Sequence, residues 1–203
     1  MRLYKNKSPL SYITSGMIGM TLLVLTACAA APARDADTYY DLRPTVAPLA
    51  FGSTKTLKIQ SVTVKGLQSG RPLIFEKSTN PVQYQEARGH LWHLAPSSLI
   101  ETALANALTS ASQDLIIGTA DTIDNEDLRL KLVVSKFHFT PDQSAYLSFD
   151  AIIKDKRGKI LSSTSYDIVE PLNASGYEAA VLALEAALSA GITAMSADIA
   201  SAL

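Results

Sequence analysis

Leu128-Arg129-Leu130-Lys131-Leu132-Val133-Val134 and, shortly after it, Ala145-Tyr146-Leu147-Ser148-Phe149-Asp150-Ala151-Ile152-Ile153-Lys154 are the stretches that decide the fold class. Leu128, Leu130, Leu132 and Val134 alternate with Arg129, Lys131 and Val133. Ala145, Leu147, Phe149, Ala151 and Ile153 alternate in the same way with mostly polar neighbours. A period of two turns one set of side chains inward and the other outward. One buried face per strand is the pattern of an antiparallel sheet covered on one side only. Asp155-Lys156-Arg157-Gly158 carries turn residues and leads into a third strand over 159–169.

Working towards the N-terminus, Leu57 and Ile59, then Val62 and Val64, alternate but change phase between the pairs, which predicts a bulge near Ser61. Residues 38–43 are β-branched and aromatic enough for a first strand, and 44–53, with two prolines and a glycine, read as a loop. Residues 71–77 and 82–87 read as short strands around the turn signal Ser78-Thr79-Asn80-Pro81. A first helix is expected from a capping box at Ser98-Leu99-Ile100-Glu101, with Ile100, Leu104, Ala107, Leu108 and Ala111 at helical spacing. A short apolar run, Leu115-Ile116-Ile117, follows it.

The last helix is expected to start at a second box, Ser175-Gly176-Tyr177-Glu178. Tyr177, Val181, Leu184, Leu188, Ile192, Met195, Ile199 and Leu203 then share an arc of about 100° at 100° per residue. Its opposite side carries Ala179, Ala183, Ala186, Ala190 and Ala197, a back suited either to close approach of another element or subunit or simply to helix formation. The expected architecture is a single α+β domain over 38–203. Its sheet is mostly antiparallel or mixed, with two main helices packed on one face.

The N-terminus reads differently. Residues 1–7 are basic, and from Ser8 to Ala27 no residue is charged, the second half being filled by Ile18, Met20, Leu22, Leu23, Val24 and Leu25. That order is a secretory signal. It ends at Cys28, the only cysteine, and Leu25-Thr26-Ala27-Cys28 resembles a bacterial lipobox. The expectation is cleavage between Ala27 and Cys28 and acylation of Cys28, giving a durable membrane anchor at roughly 0.8 kcal/mol per buried methylene. By the same resemblance Ala29, which is not Asp, points to the outer membrane, with the domain facing the periplasm. Residues 28–37 form a small, polar, Pro-containing tether.

Removing the first 27 of 203 residues leaves 176, the size of one domain. Those residues carry 15 basic against 19 acidic side chains, a balance of −4 that offers no basic footprint for nucleic acid. A single cysteine excludes an internal disulfide and a multi-thiolate zinc site. Gly66-Leu67-Gln68-Ser69-Gly70 lacks the spacing of a nucleophile elbow and reads as a turn after a strand. His90 and His93, expected in a loop, lack the intervening Glu of a helical zinc motif, and His138 falls in a strand. Asp121, Asp124, Glu126 and Asp127 lack EF-hand spacing. Trp92 reads as packing the start of the first helix against the sheet, or as an interface anchor. The expectation is a protein without catalytic residues, resident metal or cofactor beyond the lipid on Cys28.

The order of these features is similar to that of the ABC-type transport auxiliary lipoprotein family, of the paraquat-inducible protein C type. The resemblance rests on the lipobox, Tyr39-Tyr40-Asp41-Leu42, the 57–64 strand and Arg71-Pro72-Leu73-Ile74-Phe75. It continues through Trp92…Pro96, the 128–139 strand and Gly176-Tyr177-Glu178-Ala179-Ala180. Where the family often has an acid between Trp and Pro, this chain has His93-Leu94-Ala95. The resemblance implies a non-enzymatic auxiliary component of lipid transport that works with a periplasmic MCE-domain protein and an inner-membrane ABC transporter, and the alanine-backed helix suits a homo-oligomer. Two other classes fit a tethered α+β domain. One is a structural or regulatory envelope lipoprotein, such as a peptidoglycan-synthase activator or a lipopolysaccharide-assembly partner. The other is an envelope hydrolase using Ser69 or a histidine.

Overall fold

The computed structural model describes residues 36–52, 54–77 and 83–203. The chain divides into two units, Met1–Ala36 and Asp37–Leu203, and the described residues fall almost wholly in the second. They form eight strands and two long helices: β1 Thr38–Tyr40, β2 Thr56–Val64, β3 Pro72–Glu76, β4 Tyr84–Trp92, α1 Pro96–Ala111, β5 Ile116–Thr119, β6 Leu128–Thr140, β7 Ser144–Asp155, β8 Ile160–Pro171 and α2 Tyr177–Ala202. Cys28 and Ala27, and the turn signal at 78–81, lie outside the described residues.

β6 organises the sheet. On one side it pairs antiparallel with β7 along its whole length, and β7 pairs antiparallel with β8. On the other side two strands share its edge in series, both parallel to it. β2 pairs from Leu57↔Leu128 to Val64↔Val134, and β3 pairs at Phe75↔Phe139. Beyond β2 lies β5, parallel; beyond β3 lie β4, antiparallel, and then β1, parallel to β4. The sheet is therefore mixed: its long ladders form the expected antiparallel meander, and the shorter pairs on the far side of β6 are mostly parallel.

Between β2 and β3 the edge of β6 would be bare, and the Gly66–Ser69 3₁₀ turn fills it. Gly66 starts the turn at φ +69°, a left-handed value that favours glycine. The Lys65 N–H donates to the Val134 carbonyl at 2.9 Å. Gln68 then replaces a strand with its side chain, Oε1 accepting the Phe137 N–H at 2.6 Å. The bulges lie where the sequence breaks phase: β2 shifts register between Ile59 and Ser61, as expected, and β6 shifts between Val134 and Lys136.

One face of the sheet carries the core. Leu57 and Ile59 sit level with Leu128 and Leu130, and Leu130 with Ile153; all five are buried. α1 lies over β2 and β5, and α2 over β7 and β8. The helical spacing read for α1 is its buried face, with Leu99, Ile100, Leu104 and Leu108 essentially inaccessible. By length and hydropathy α2 could cross a membrane, but Val181, Leu184, Leu188, Ile192, Met195 and Ile199 spend that hydropathy on the core. Of the alanine back, Ala183 is buried and Ala186 and Ala197 are exposed, alongside an exposed Leu182.

Both capping boxes are corrected. α1 starts at Pro96 with Ala95 as N-cap, and α2 at Tyr177 with Gly176 as N-cap, neither with a side-chain cap. At α1, proline at the first helical position brings a preset φ and no N–H to satisfy, so the helix begins ahead of Ser98. At α2, Gly176 takes φ +102°, which leaves Ser175 outside the helix start.

Candidate functional site

Four of the segments quoted above, at Tyr39-Tyr40, Arg71, Trp92 and Tyr177, lie far apart in sequence and meet at one end of the sheet. β1 is added beside β4 with Thr38↔His90 and Tyr40↔Trp92 in register, so Tyr40 stands next to β4 where it ends. Arg71 ties this junction together. Its Nε donates to the Trp92 carbonyl at 3.0 Å, its Nη2 donates to the His93 carbonyl at 3.1 Å, and its guanidinium lies 5.3 Å from the Tyr39 ring. Trp92 is buried and stacks on Phe137 with ring centroids 5.1 Å apart. That is the packing role; the indole is not free to anchor a partner.

An aromatic chain runs from this junction to α2. The Tyr40 hydroxyl and His90 Nδ1 are 2.9 Å apart, and the His90 ring lies 3.8 Å from that of Tyr177, which meets Phe139 edge-on. Burial, and then the nearby Glu178 and Tyr177, push the Tyr40 phenol above its ordinary pKa, so it stays protonated. Beside this chain, Phe75, Phe139, Pro141, Gly176 and Tyr177 line a cavity of about 270 Å³.

His90 and His93 do not converge, and His90 lies in β4 rather than in a loop, because β4 runs on to Trp92. The two face different partners: His93 Nδ1 is 3.5 Å from Asp41, which also pairs with Arg43 at 3.5 Å. From Asp41 the chain crosses the helical layer. The Arg43 N–H donates to Glu185 Oε2 at 2.8 Å and the Thr45 N–H to Ser189 Oγ at 3.1 Å. A groove of about 450 Å³ lies between this segment and α1, with Leu42, Leu99, Ala103 and Ala107 among its lining and Asp41, Arg43 and His93 at one end.

Of the remaining candidates from the sequence, Asp121 and Asp124 are exposed in the β5–β6 loop, and the others are built into the scaffold. The Ser69 hydroxyl donates to the Gly66 carbonyl at 2.8 Å. His138 is buried on the face opposite the helices, between Tyr84 and Tyr146. Burial, and then Lys136, lower its pKa to about 4, so it is neutral near pH 7. With Gln68 Nε2 3.3 Å from His138 Nδ1, the amide donates to the ring and the ring proton sits on Nε2, on the side of Glu76. Glu126 is buried against Lys58 at 3.0 Å and against Arg129; Arg129 first and Lys58 second hold it below the ordinary carboxylate range. Asp127 accepts the Thr56 N–H at 3.0 Å. The sequence reading missed Arg71 and Gln68 as the residues that close these junctions. Both lay inside stretches noted for other reasons, Gly66 to Gly70 and Arg71 to Phe75, and neither side chain carried a signal of its own.

No curated protein matches the sequence. The crystal structure of an uncharacterized protein superposes with a TM-score of 0.66 at 21% identity, over 82% of this chain and 97% of the other. A Xanthomonas campestris protein of the DUF330 family does so at 0.68 and 16% identity, over 78% and 92%. At these identities the likeness establishes a shared fold. The PelC dodecamer subunit from Paraburkholderia phytofirmans aligns at 0.43 and 11% identity over 73% and 92%. Residues 40–200, running from the Tyr40 junction through nearly all of α2, match a family as a whole, and the chain belongs to the ABC-type transport auxiliary lipoprotein component family.

Proposed function

We infer that the protein is a lipid-anchored, periplasm-facing auxiliary component of an MCE-type ABC transport system that moves lipids across the cell envelope. In this reading it is held to the outer membrane through Cys28 and docks its partner without catalysing a reaction. The observation that carries the reading is the family match over residues 40–200, which spans the described domain from β1 almost to its end. The site geometry supports a binding role. Tyr39, Tyr40, Arg71, Trp92 and Tyr177 are tied by stacking and main-chain hydrogen bonds, and a groove opens beside them.

The test is crosslinking of the tagged protein in living cells with its own signal, followed by mass spectrometry. Recovery of an MCE-domain protein, lost when 38–203 is deleted but the Cys28 anchor is kept, is the expected result. Recovery of a cell-wall synthase or an outer-membrane assembly barrel, with no MCE protein, would replace this reading with a structural or regulatory role.

A further inference from the structure

β7 and β8 meet at a hairpin tip that is basic and locally locked. The Asp155 N–H donates to the Lys159 carbonyl, and its own carbonyl accepts from Gly158, each at 2.9 Å. Asp155 Oδ1 accepts the N–H groups of Arg157 and Lys159, again at 2.9 Å each. The tip's one acid is held against its own backbone and keeps its charge, so three cations face one anion there. Lys156, Arg157 and Lys159 are exposed, and among the described residues none of them forms an ion pair. The next two residues, Ile160 and Leu161, are 55% and 41% exposed.

The cations continue onto the open face of the sheet. Lys58, Arg129 and Lys154 are direct register neighbours across β2, β6 and β7, and Lys131 stands two residues along on the same face. Like charges opposite one another across strands are destabilising, and Glu126 offsets only Lys58 and Arg129. Asp127 is occupied by the Thr56 N–H, and Asp121 and Asp124 lie in the neighbouring β5–β6 loop. Seven of the 15 basic residues that follow Ala27 therefore gather at one end, against five acids there, in a segment whose overall balance is −4.

We propose that this end of the domain docks on a bilayer surface of anionic phospholipid, with Lys156, Arg157 and Lys159 at the phosphates and Ile160 and Leu161 in the interfacial layer. Basic side chains draw such a surface in, and the uncovered aliphatic pair gains by leaving water there. An acidic protein face would answer the cations but not the aliphatic pair. The geometry permits it. β1 runs antiparallel to β6, so the chain enters the domain where β6 ends, while the tip lies where β6 begins. That separation is roughly 40 Å for a 13-residue strand. Residues 28–37 reach at most about 36 Å when extended, enough for the domain to lie along the bilayer that holds its anchor. The choice of surface rests on the lipid-anchor reading; the assay does not.

The assay is co-sedimentation of the chain from residue 28 onward, carrying Cys28→Ser so that no acyl group contributes. The vesicles are pure phosphatidylcholine or phosphatidylcholine with roughly 30% phosphatidylglycerol, an anionic surface of the kind that attracts polybasic segments. Binding to the anionic vesicles alone, weakened by salt, is expected. Combined Lys156→Gln, Arg157→Gln and Lys159→Gln should lower it on the order of 100-fold, at about fivefold per cation, with an unchanged thermal melt. Ile160→Asn with Leu161→Asn should remove the binding that survives high salt. Equal sedimentation with both vesicle types, no sedimentation, or full binding by the triple variant would overturn the proposal. So would a triple variant that binds vesicles normally but no longer crosslinks to an MCE-domain protein, because the tip would then face an acidic protein. Failure to recover an MCE protein leaves the vesicle result standing, and the reverse also holds.

Discussion

Replacing Gln68 tests the most unusual joint in the fold. Its Oε1 accepts the Phe137 N–H at 2.6 Å and its Nε2 donates to His138 Nδ1 at 3.3 Å, in a buried place where β6 has neither β2 nor β3 beside it. Gln68→Ala leaves a buried main-chain donor and a buried ring acceptor without partners, each costing about 1–3 kcal/mol. It also opens a small void. The expected loss is about 3 kcal/mol, or a melting temperature lower by roughly 6–12 °C for a domain of this size. Gln68→Met separates the contributions, because it fills nearly the same volume but offers no strong acceptor or donor. It should cost nearly as much as alanine if the hydrogen bonds stabilise the joint. Chemical denaturation gives the free energies, and hydrogen exchange at the Phe137 amide gives the local readout, protected in the parent and faster in both variants. A methionine variant within about 0.5 kcal/mol of the parent, the range of neutral surface changes, would refute the argument. The side chain would then be packing material and not a substitute strand.

Three further outcomes follow from single residues. The His138 pKa is about 4 in the fold against 6.5 for the free side chain, so between those values the unfolded chain binds the extra proton. That contribution to stability is intact above pH 6.5 and is lost as pH falls towards 4, up to about 3 kcal/mol; melting curves from pH 7 to pH 4.5 should fall more steeply for the parent than for His138→Gln. Gly191 lies on α2 where a Cβ would come within 2.8 Å of the Phe149 ring. Gly191→Ala should therefore destabilise by about 1–3 kcal/mol in denaturant titrations despite alanine's better helix propensity. Cys28→Ser should abolish incorporation of labelled palmitate; retained label would show that the lipid is elsewhere.

Periodicity made the meander and both helices legible, because burial on one side writes itself into a strand at two residues and into a helix at 3.6. The phase slip at Ser61 was legible for the same reason. Pairing order was not. Val64↔Val134 and Phe75↔Phe139 put β2 and β3 in series on one edge of β6, and nothing in either short strand says which partner it takes. β4 hid its length because Gln85, Glu86, Arg88 and Gly89 break any alternation, so His90 read as loop. Tyr40, His90 and Tyr177 are joined only by tertiary folding. The resemblance marked two of these segments and could not say that they touch.

Splitting one edge of β6 between two strands also gives the domain two chemically different ends. Where β6 begins, β2 and β7 bring Lys58, Arg129 and Lys154 side by side above the basic tip. Where it ends, β3, β4 and β1 bring Arg71, Trp92, Tyr40 and His90 under Tyr177 of α2. β6 is bulged between Val134 and Lys136, where a strand bends readily, and there Gln68 keeps its edge paired as β2 stops. β7 pairs along the whole of β6, and α2 runs from Tyr177 at the aromatic end towards Leu203, which sits beside Lys55 at the basic end, so the two ends share strands and a helix. Loss at Gln68 should therefore lower the unfolding transition without broadening it. A variant that melts over a wider range than the parent would show that the ends unfold separately and that the joint couples them.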